Sequence, residues 1–136
     1  MTTAPPMSRN ARTAYRGNSV ATATPAQLLV MLVERLVLDC ERGFKAVVAQ
    51  DREAAHEQLV HAQAIVTELQ TSLDVDGMPA GAELMSLYSY LQRRLIQANV
   101  SASVGAAKEA VLLARHLCDT WRTAAQLAAA QGPGAR

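Results

Sequence analysis

Aromatic side chains are scarce in this 136-residue sequence, which has one Trp, three Tyr and one Phe. Runs of β-branched residues are also few, whereas Ala and Leu are abundant, and this composition favours helices. Only two cysteines are present, Cys40 and Cys118, and both fall within helical apolar patterns. In a reducing compartment such cysteines behave as small buried hydrophobic side chains.

A dense basic stripe is missing as well: the net charge is +1, and Arg and Lys are scattered among Asp and Glu. We therefore expect no nucleic-acid partner, whose phosphates would need many cations. Residues 1–23 hold no apolar block of the secretory type, and no run approaches membrane-spanning length. The expectation is a single cytoplasmic domain without stable membrane insertion.

Sequence signatures of enzymes are absent too. There is no Ser-His-Asp or Cys-His ordering, Gly-rich phosphate loop or Cys-x-x-Cys, so we expect no catalytic residues, no enzyme activity and no cofactor. Glu53 and His56 match the Glu-x-x-His spacing of di-iron bundles, but neither His61 nor His116 has a glutamate three positions earlier. Because the second motif is missing, we predict no metal site. A metal-binding bundle, or a phosphotransfer bundle that uses His56 or His61, is the alternative to a binding protein.

Helical signals are what the sequence does contain. Thr24-Pro25-Ala26-Gln27 combines an N-cap residue, a proline at the first helical position and the glutamine of a capping box, which predicts the start of a helix. Asp51 can cap a second helix, a link containing Gly and Pro follows Leu73, and Ser101 or Ser103 can cap a fourth helix. We therefore predict an all-α fold, an antiparallel up-and-down four-helix bundle over residues 24–127. A flexible N-terminal tail is expected over residues 1–23 and a disordered C-terminal tail over residues 128–136.

Apolar positions in the second, third and fourth helices alternate spacings of four and three, as in left-handed bundle packing. These predicted core positions are Ala55, Leu59, Ala62, Val66, Leu69, Leu73, Leu84, Tyr88, Leu91, Leu95, Ala98, Ala107, Val111, Ala114, Cys118, Trp121 and Ala125. Trp121 fits either the core or a partner surface, because its indole N–H needs a partner if it is buried.

The first helix carries more apolar surface than such a bundle can bury. Leu28–Val33 are six consecutive apolar residues, and at about 100° per residue their side chains encircle the helix axis. A bundle buries only one face of each helix, so the surplus must be covered by a flanking segment, by another protein or by each in turn. Self-association through this face is a further possibility.

Several segments resemble the flagellar secretion chaperones of the FliS type. At the N-terminal side these are Tyr15, Asn18-Ser19-Val20 and Thr22–Leu29 with Met31-Leu32. Farther along they are Ala62–Val66, Glu68-Leu69, Ser72–Asp74, Leu87–Leu91, Arg93–Leu95, Ala98-Asn99 and Leu117–Trp121. The resemblance covers about residues 15 to 125 with every landmark in order. Val33, Ser89 and Cys118 depart from the Tyr, Asp and Arg that are usual in the family.

The resemblance implies a helical bundle that holds newly made flagellin in the cytoplasm. Members of the family bind the polymerisation-prone C-terminal segment of flagellin, keep it from assembling and pass it to the membrane gate of the export apparatus. Tyr15 and Val20 are two apolar side chains in a polar tail, and we expect this tail to cover the partner groove when no client is bound. The predicted client contacts are Tyr15, Val20, Leu29, Val33, Val37, Tyr90 and Arg94.

Overall fold

The computed structural model describes residues 22–131, which form four α-helices and no strand. Helix α1 spans Pro25–Val48, α2 spans Arg52–Ser72, α3 spans Gly81–Ser101 and α4 spans Val104–Gln131. Helices α1 and α3 each pack mainly on α2 and α4, so the helices form a closed ring. The predicted up-and-down four-helix bundle is confirmed. Within residues 22–131, none of the helices combines the length and the hydropathy that a membrane span needs.

Helix α4 continues beyond the predicted boundary of the bundle. Residues 128–131 are helical and exposed, whereas the sequence pattern placed the start of a disordered tail at residue 128. The apolar periodicity ends there because the bundle no longer buries these residues, but Ala and Gln remain good helix formers. Residues 1–21 of the predicted N-terminal tail over residues 1–23, and the residues after 131, lie outside the described range.

The helix starts follow the capping signals. Gln27 donates its backbone N–H to Thr24 Oγ1 at 3.1 Å, and Thr24 donates its own N–H to Gln27 Oε1 at 2.8 Å, which completes the predicted capping box. Asp51 accepts from the N–H of Ala54 at 3.1 Å and caps α2. Ser103 accepts from the N–H of Ala106 at 3.0 Å at the start of α4. The three local caps therefore fix where α1, α2 and α4 begin.

The predicted core positions are buried, with one regional exception. Helices α1 and α3 begin, and α2 and α4 end, at one end of the bundle, which we call the lower end. The opposite end is the upper end. Four predicted core residues are only half-buried, and all four lie at the lower end: Leu73, Leu84, Trp121 and Ala125. The upper end is closed by small buried residues, including Ala46, Ala55, Ala98, Ala106 and Ala107. The bundle is therefore less tightly packed at its lower end.

Helices α1 and α2 approach each other closely at Gly43. A Cβ atom at this position would lie 2.7 Å from Leu59 Cδ2 and 3.0 Å from Leu59 Cγ, closer than the neighbouring side chain allows. Glycine weakens a helix interior by roughly 0.5–1 kcal/mol relative to alanine. Here the missing side chain makes room for Leu59, which is fully buried.

A buried carboxylate joins α1 to α2. Asp39 is 0% exposed, and its Oδ1 accepts a hydrogen bond from Arg35 Nε at 3.0 Å. Its Oδ2 is bound by Nδ1 of His61 on α2. The histidine ring reaches inward while its side chain stays 54% exposed. Both carboxylate oxygens of Asp39 therefore have partners, as a buried charge requires.

Replacing His61 with alanine is expected to lower the free energy of unfolding by about 1–3 kcal/mol, because the buried Asp39 Oδ2 loses its hydrogen-bond partner. Urea denaturation measures this change. The control is the substitution His116→Ala at an exposed position of α4, which should change stability by less than about 0.5 kcal/mol. Equal effects of the two substitutions would contradict a structural role for the His61 contact.

Candidate partner-binding surface

The start of α1 keeps apolar side chains in water. Val33 and Leu36 are 0% exposed, whereas Leu28 and Met31 are 39% and 42% exposed. The prediction that α1 carries more apolar surface than the bundle buries is therefore confirmed for the described residues.

A furrow runs between the start of α1 and the end of α4. Val30 and Met31 form one wall, and Ala125 and Ala129 form the other, with a volume of about 350 Å³. Arg122 borders this α1–α4 furrow and donates from Nη2 to Glu34 Oε2 at 3.0 Å. The alanines leave space because their side chains are short, so the furrow has an apolar floor.

A second furrow runs between the start of α3 and the same half of α4. Leu84 and Leu87 of α3 face Trp121 and Ala124 of α4, and Met78 of the α2–α3 link closes one side. This α3–α4 furrow has a volume of about 380 Å³. The two furrows thus flank the C-terminal half of α4, at the lower end of the bundle described above.

A smaller, partly open hollow, the end chamber, lies at the lower end of the bundle. Leu29 of α1, Leu69 and Leu73 of α2, Tyr88 of α3 and Trp121 of α4 line it, so all four helices contribute, and its volume is about 170 Å³. Met78 lies between the end chamber and the α3–α4 furrow and lines both, as does Trp121.

A polar cluster occupies the α3–α4 seam nearer the upper end. Tyr90 donates its hydroxyl to Glu109 Oε1 at 2.8 Å, and Arg94 donates from Nε to the same oxygen at 2.7 Å. The guanidinium of Arg93 lies 5.6 Å from the centre of the Tyr90 ring. The hydrogen bond to Glu109 raises the pKa of Tyr90, so the phenol stays protonated. Tyr90 and Arg94, both predicted client contacts, are thereby brought together and held in fixed positions.

Comparison with known proteins identifies the family. The family model described as flagellar protein FliS matches residues 7–128 of the chain. The chain belongs to the FliS family. It is 34% identical over 118 residues to a flagellar secretion chaperone FliS from Bacillus subtilis, covering 87% of this chain and 88% of the relative. It is 30% identical over 107 residues to the flagellar secretion chaperone FliS of Escherichia coli, covering 77% and 79% of the two chains. FliS is a family of chaperones and not a class of enzymes.

The histidines that suggested other chemistry in this FliS-family chain make structural contacts. His61 binds Asp39, and Nδ1 of His56 lies 3.1 Å from the side-chain nitrogen of Asn99 across the α2–α3 seam. Within the described range, no group of three or more His, Cys, Asp or Glu side chains is arranged to hold a metal ion. Cys40 and Cys118 are buried, as predicted, and burial raises the pKa of the Cys40 thiol to about 12.

One predicted client contact is wrong. Val33 has no exposed surface and belongs to the core cluster, so its side chain is unavailable to a partner. Within the Leu28–Val33 run Val33 faces the core, while Met31, two positions earlier, is 42% exposed and lines the α1–α4 furrow. The apolar run alone does not reveal which of its members face inward, because that depends on how α1 is rotated in the bundle.

The other predicted contacts lie in different places. Tyr15 and Val20 fall outside the described residues. Leu29 is half-buried and lines the end chamber. Val37 is half-buried in a hollow of about 100 Å³ between α1 and α4, beside Cys118. Each of these remains a prediction.

The sequence reading missed most of the lining of the two furrows. Met31 was part of the apolar run but was not singled out, Leu84 was assigned to a core position, and Trp121 was left open between the core and a partner surface. The position of these residues near helix ends could have identified them. At the end of a helix fewer neighbouring helices cover the apolar face, so its last apolar residues stay partly exposed.

The substitution Val33→Asp is expected to destabilise the fold by on the order of 3 kcal/mol or more, because it places an unpaired carboxylate in the core. The matched control is Met31→Asp, two positions earlier at 42% exposure, which should cost less than about 1 kcal/mol. Thermal unfolding followed by circular dichroism measures both. A Val33→Asp protein as stable as the Met31→Asp protein would mean that Val33 is not a core residue.

Proposed function

We propose that this chain is a cytoplasmic export chaperone that binds the disordered C-terminal segment of flagellin. It prevents premature polymerisation and delivers flagellin to the flagellar export apparatus through a component of the export gate. Membership of the FliS family supports this function, as do the names of the two relatives, both flagellar secretion chaperones. The observation that carries it is the pair of apolar furrows on either side of the C-terminal half of α4.

The furrows suit helical segments of a client that folds on binding. An amphipathic helix placed in the α1–α4 furrow can bury its apolar face against Val30 and Met31, and the α3–α4 furrow offers Leu84 and Leu87 in the same way. Covering apolar surface contributes about 25 cal/mol per Å². Ordering the disordered client offsets much of that gain, so the complex can still release its client.

Capture of the client also accounts for the block on polymerisation. The apolar faces through which flagellin segments pair with one another are the faces that such furrows would cover. While they lie against α1, α3 and α4 they are unavailable to a second flagellin. We retain four proposed client contacts because their side chains are partly exposed: Leu29 and Val37 on α1, and Tyr90 and Arg94 on α3.

The N-terminal tail is proposed to cover the same surface when the client is absent. Residues 1–21 precede α1, whose first turn borders the α1–α4 furrow through Gln27. Tyr15 and Val20 would supply the apolar contacts. Covering the furrow in this way would protect an exposed apolar patch from non-specific association.

The substitution Met31→Asp is expected to weaken binding of a flagellin C-terminal peptide at least about tenfold, because a carboxylate would face the client's apolar side in the α1–α4 furrow. Isothermal titration calorimetry measures the affinity. The control is Leu112→Asp on α4, since Leu112 is 53% exposed and lines neither furrow.

Equal affinities of the Met31→Asp and Leu112→Asp proteins would exclude the α1–α4 furrow as the client site. The furrow could instead be occupied by a second copy of this chain. Light scattering, with and without peptide, measures whether the chain forms such a dimer. A dimer that persists in the presence of peptide would argue that self-association uses this face instead.

Deletion of residues 1–20 is expected to increase the fluorescence of a dye that binds apolar surface, because the tail would no longer cover the furrows. The full-length chain is the reference, and addition of the flagellin peptide should reverse the increase. Unchanged dye binding in the truncated protein would show that the tail is not a cover.

A further inference from the structure

The end chamber is large enough for one aromatic ring. An apolar cavity of roughly 150 Å³ is large enough to bind benzene, and the end chamber measures about 170 Å³. Leucines and two aromatic rings form most of its walls. The polar side chains at its edge are engaged elsewhere: Ser72 donates to the carbonyl of Glu68 at 2.9 Å, and Asp74 accepts from the N–H of Gly77 at 3.1 Å.

The buried hydroxyl of Tyr88 in the chamber wall can still donate a hydrogen bond. Tyr88 is 1% exposed, and its hydroxyl oxygen accepts the indole N–H of Trp121 at 3.2 Å. No residue between 22 and 131 accepts the hydroxyl hydrogen of Tyr88 in return. Burial raises the pKa of Tyr88, so the hydroxyl keeps that hydrogen at neutral pH. A ligand oxygen could therefore accept a hydrogen bond inside the chamber.

The chamber is also adjacent to the proposed client surface. Trp121 is half-buried, and together with Met78 it separates the chamber from the α3–α4 furrow. Methionine is unbranched and adapts to its surroundings, and the indole of Trp121 is held by the single bond to Tyr88. A side chain of a client in the furrow therefore lies beside two residues that also line the chamber.

We propose that the end chamber is an anchor site for one aromatic ring bearing a hydrogen-bond acceptor, of the phenol type, supplied by the client bound in the α3–α4 furrow. The ring packs against Trp121 and Tyr88, where aromatic pairs gain more than buried area alone provides. Its oxygen accepts from the Tyr88 hydroxyl. The source of the ring rests on the proposed function, whereas the site itself does not.

Phenol alone tests the site in the full-length chain. Trp121 is the one tryptophan of the sequence, so its indole N–H gives a single nitrogen-resolved NMR signal that reports the bond to Tyr88. Phenol is expected to shift this signal saturably. Tyr88→Phe should weaken phenol binding about three- to tenfold, because the acceptor loses its donor.

Variants whose larger side chains fill the chamber provide the second test. Leu73→Phe adds a ring at the chamber wall and should abolish the phenol shift, whereas Leu112→Phe makes the same chemical change at an exposed site and should leave it intact. If Leu73→Phe fails to fold, Leu29→Phe fills the chamber from α1. Absence of a phenol shift in the unmodified chain, or an equal shift in the filled variants, would overturn the proposal.

Titration with the flagellin C-terminal peptide separates the two proposals. Binding to the unmodified chain that falls about tenfold in Leu73→Phe, but not in Leu112→Phe, supports the anchor site. Equal binding to all three proteins refutes the anchor and leaves the proposed function standing. No peptide binding to the unmodified chain refutes the proposed function, and the phenol titration then decides the chamber by itself.

Discussion

A helix in a bundle can bury only the stripe of its surface that faces its neighbours, and α1 begins with apolar side chains on every side. Its neighbours α2 and α4 cover Val33 and Leu36 completely. They leave Leu28 and Met31 about two-fifths exposed. The apolar surface of the lower end is therefore a geometric consequence of the α1 sequence, and the α1–α4 furrow begins where coverage by neighbours fails.

Short side chains on α4 convert that uncovered surface into furrows. Ala125 and Ala129 stand opposite α1, and Ala124 stands opposite α3, where larger residues would fill the space. Two ion pairs hold α4 beside α1 at a spacing of seven residues, Glu41 with Arg115 at 2.7 Å and Glu34 with Arg122 at 3.0 Å. Exposed pairs of this kind contribute at most about 1 kcal/mol each, so they set the register of the two helices more than their stability.

Features encoded within one helix were predictable from the sequence, and features that depend on relative rotation were not. The Thr24 capping box, the Asp51 cap and the four-three spacing around Leu91 and Leu95 need only local geometry. The contact of His61 with Asp39 joins residues 22 positions apart and requires the rotation of both α1 and α2. The same missing information placed Val33 on the partner surface.

The most tightly packed layers and the apolar furrows consequently lie at different levels of the bundle axis. The upper and middle layers are closed by buried leucines and alanines and contain the paired Asp39 carboxylate, so they supply most of the tightly packed core. The lower end holds the half-buried core residues, both furrows and the end chamber. Regions with fewer buried contacts open at lower free energy than the core. The lower end therefore exposes apolar surface beside core side chains such as Tyr88 and Leu69, which it still buries.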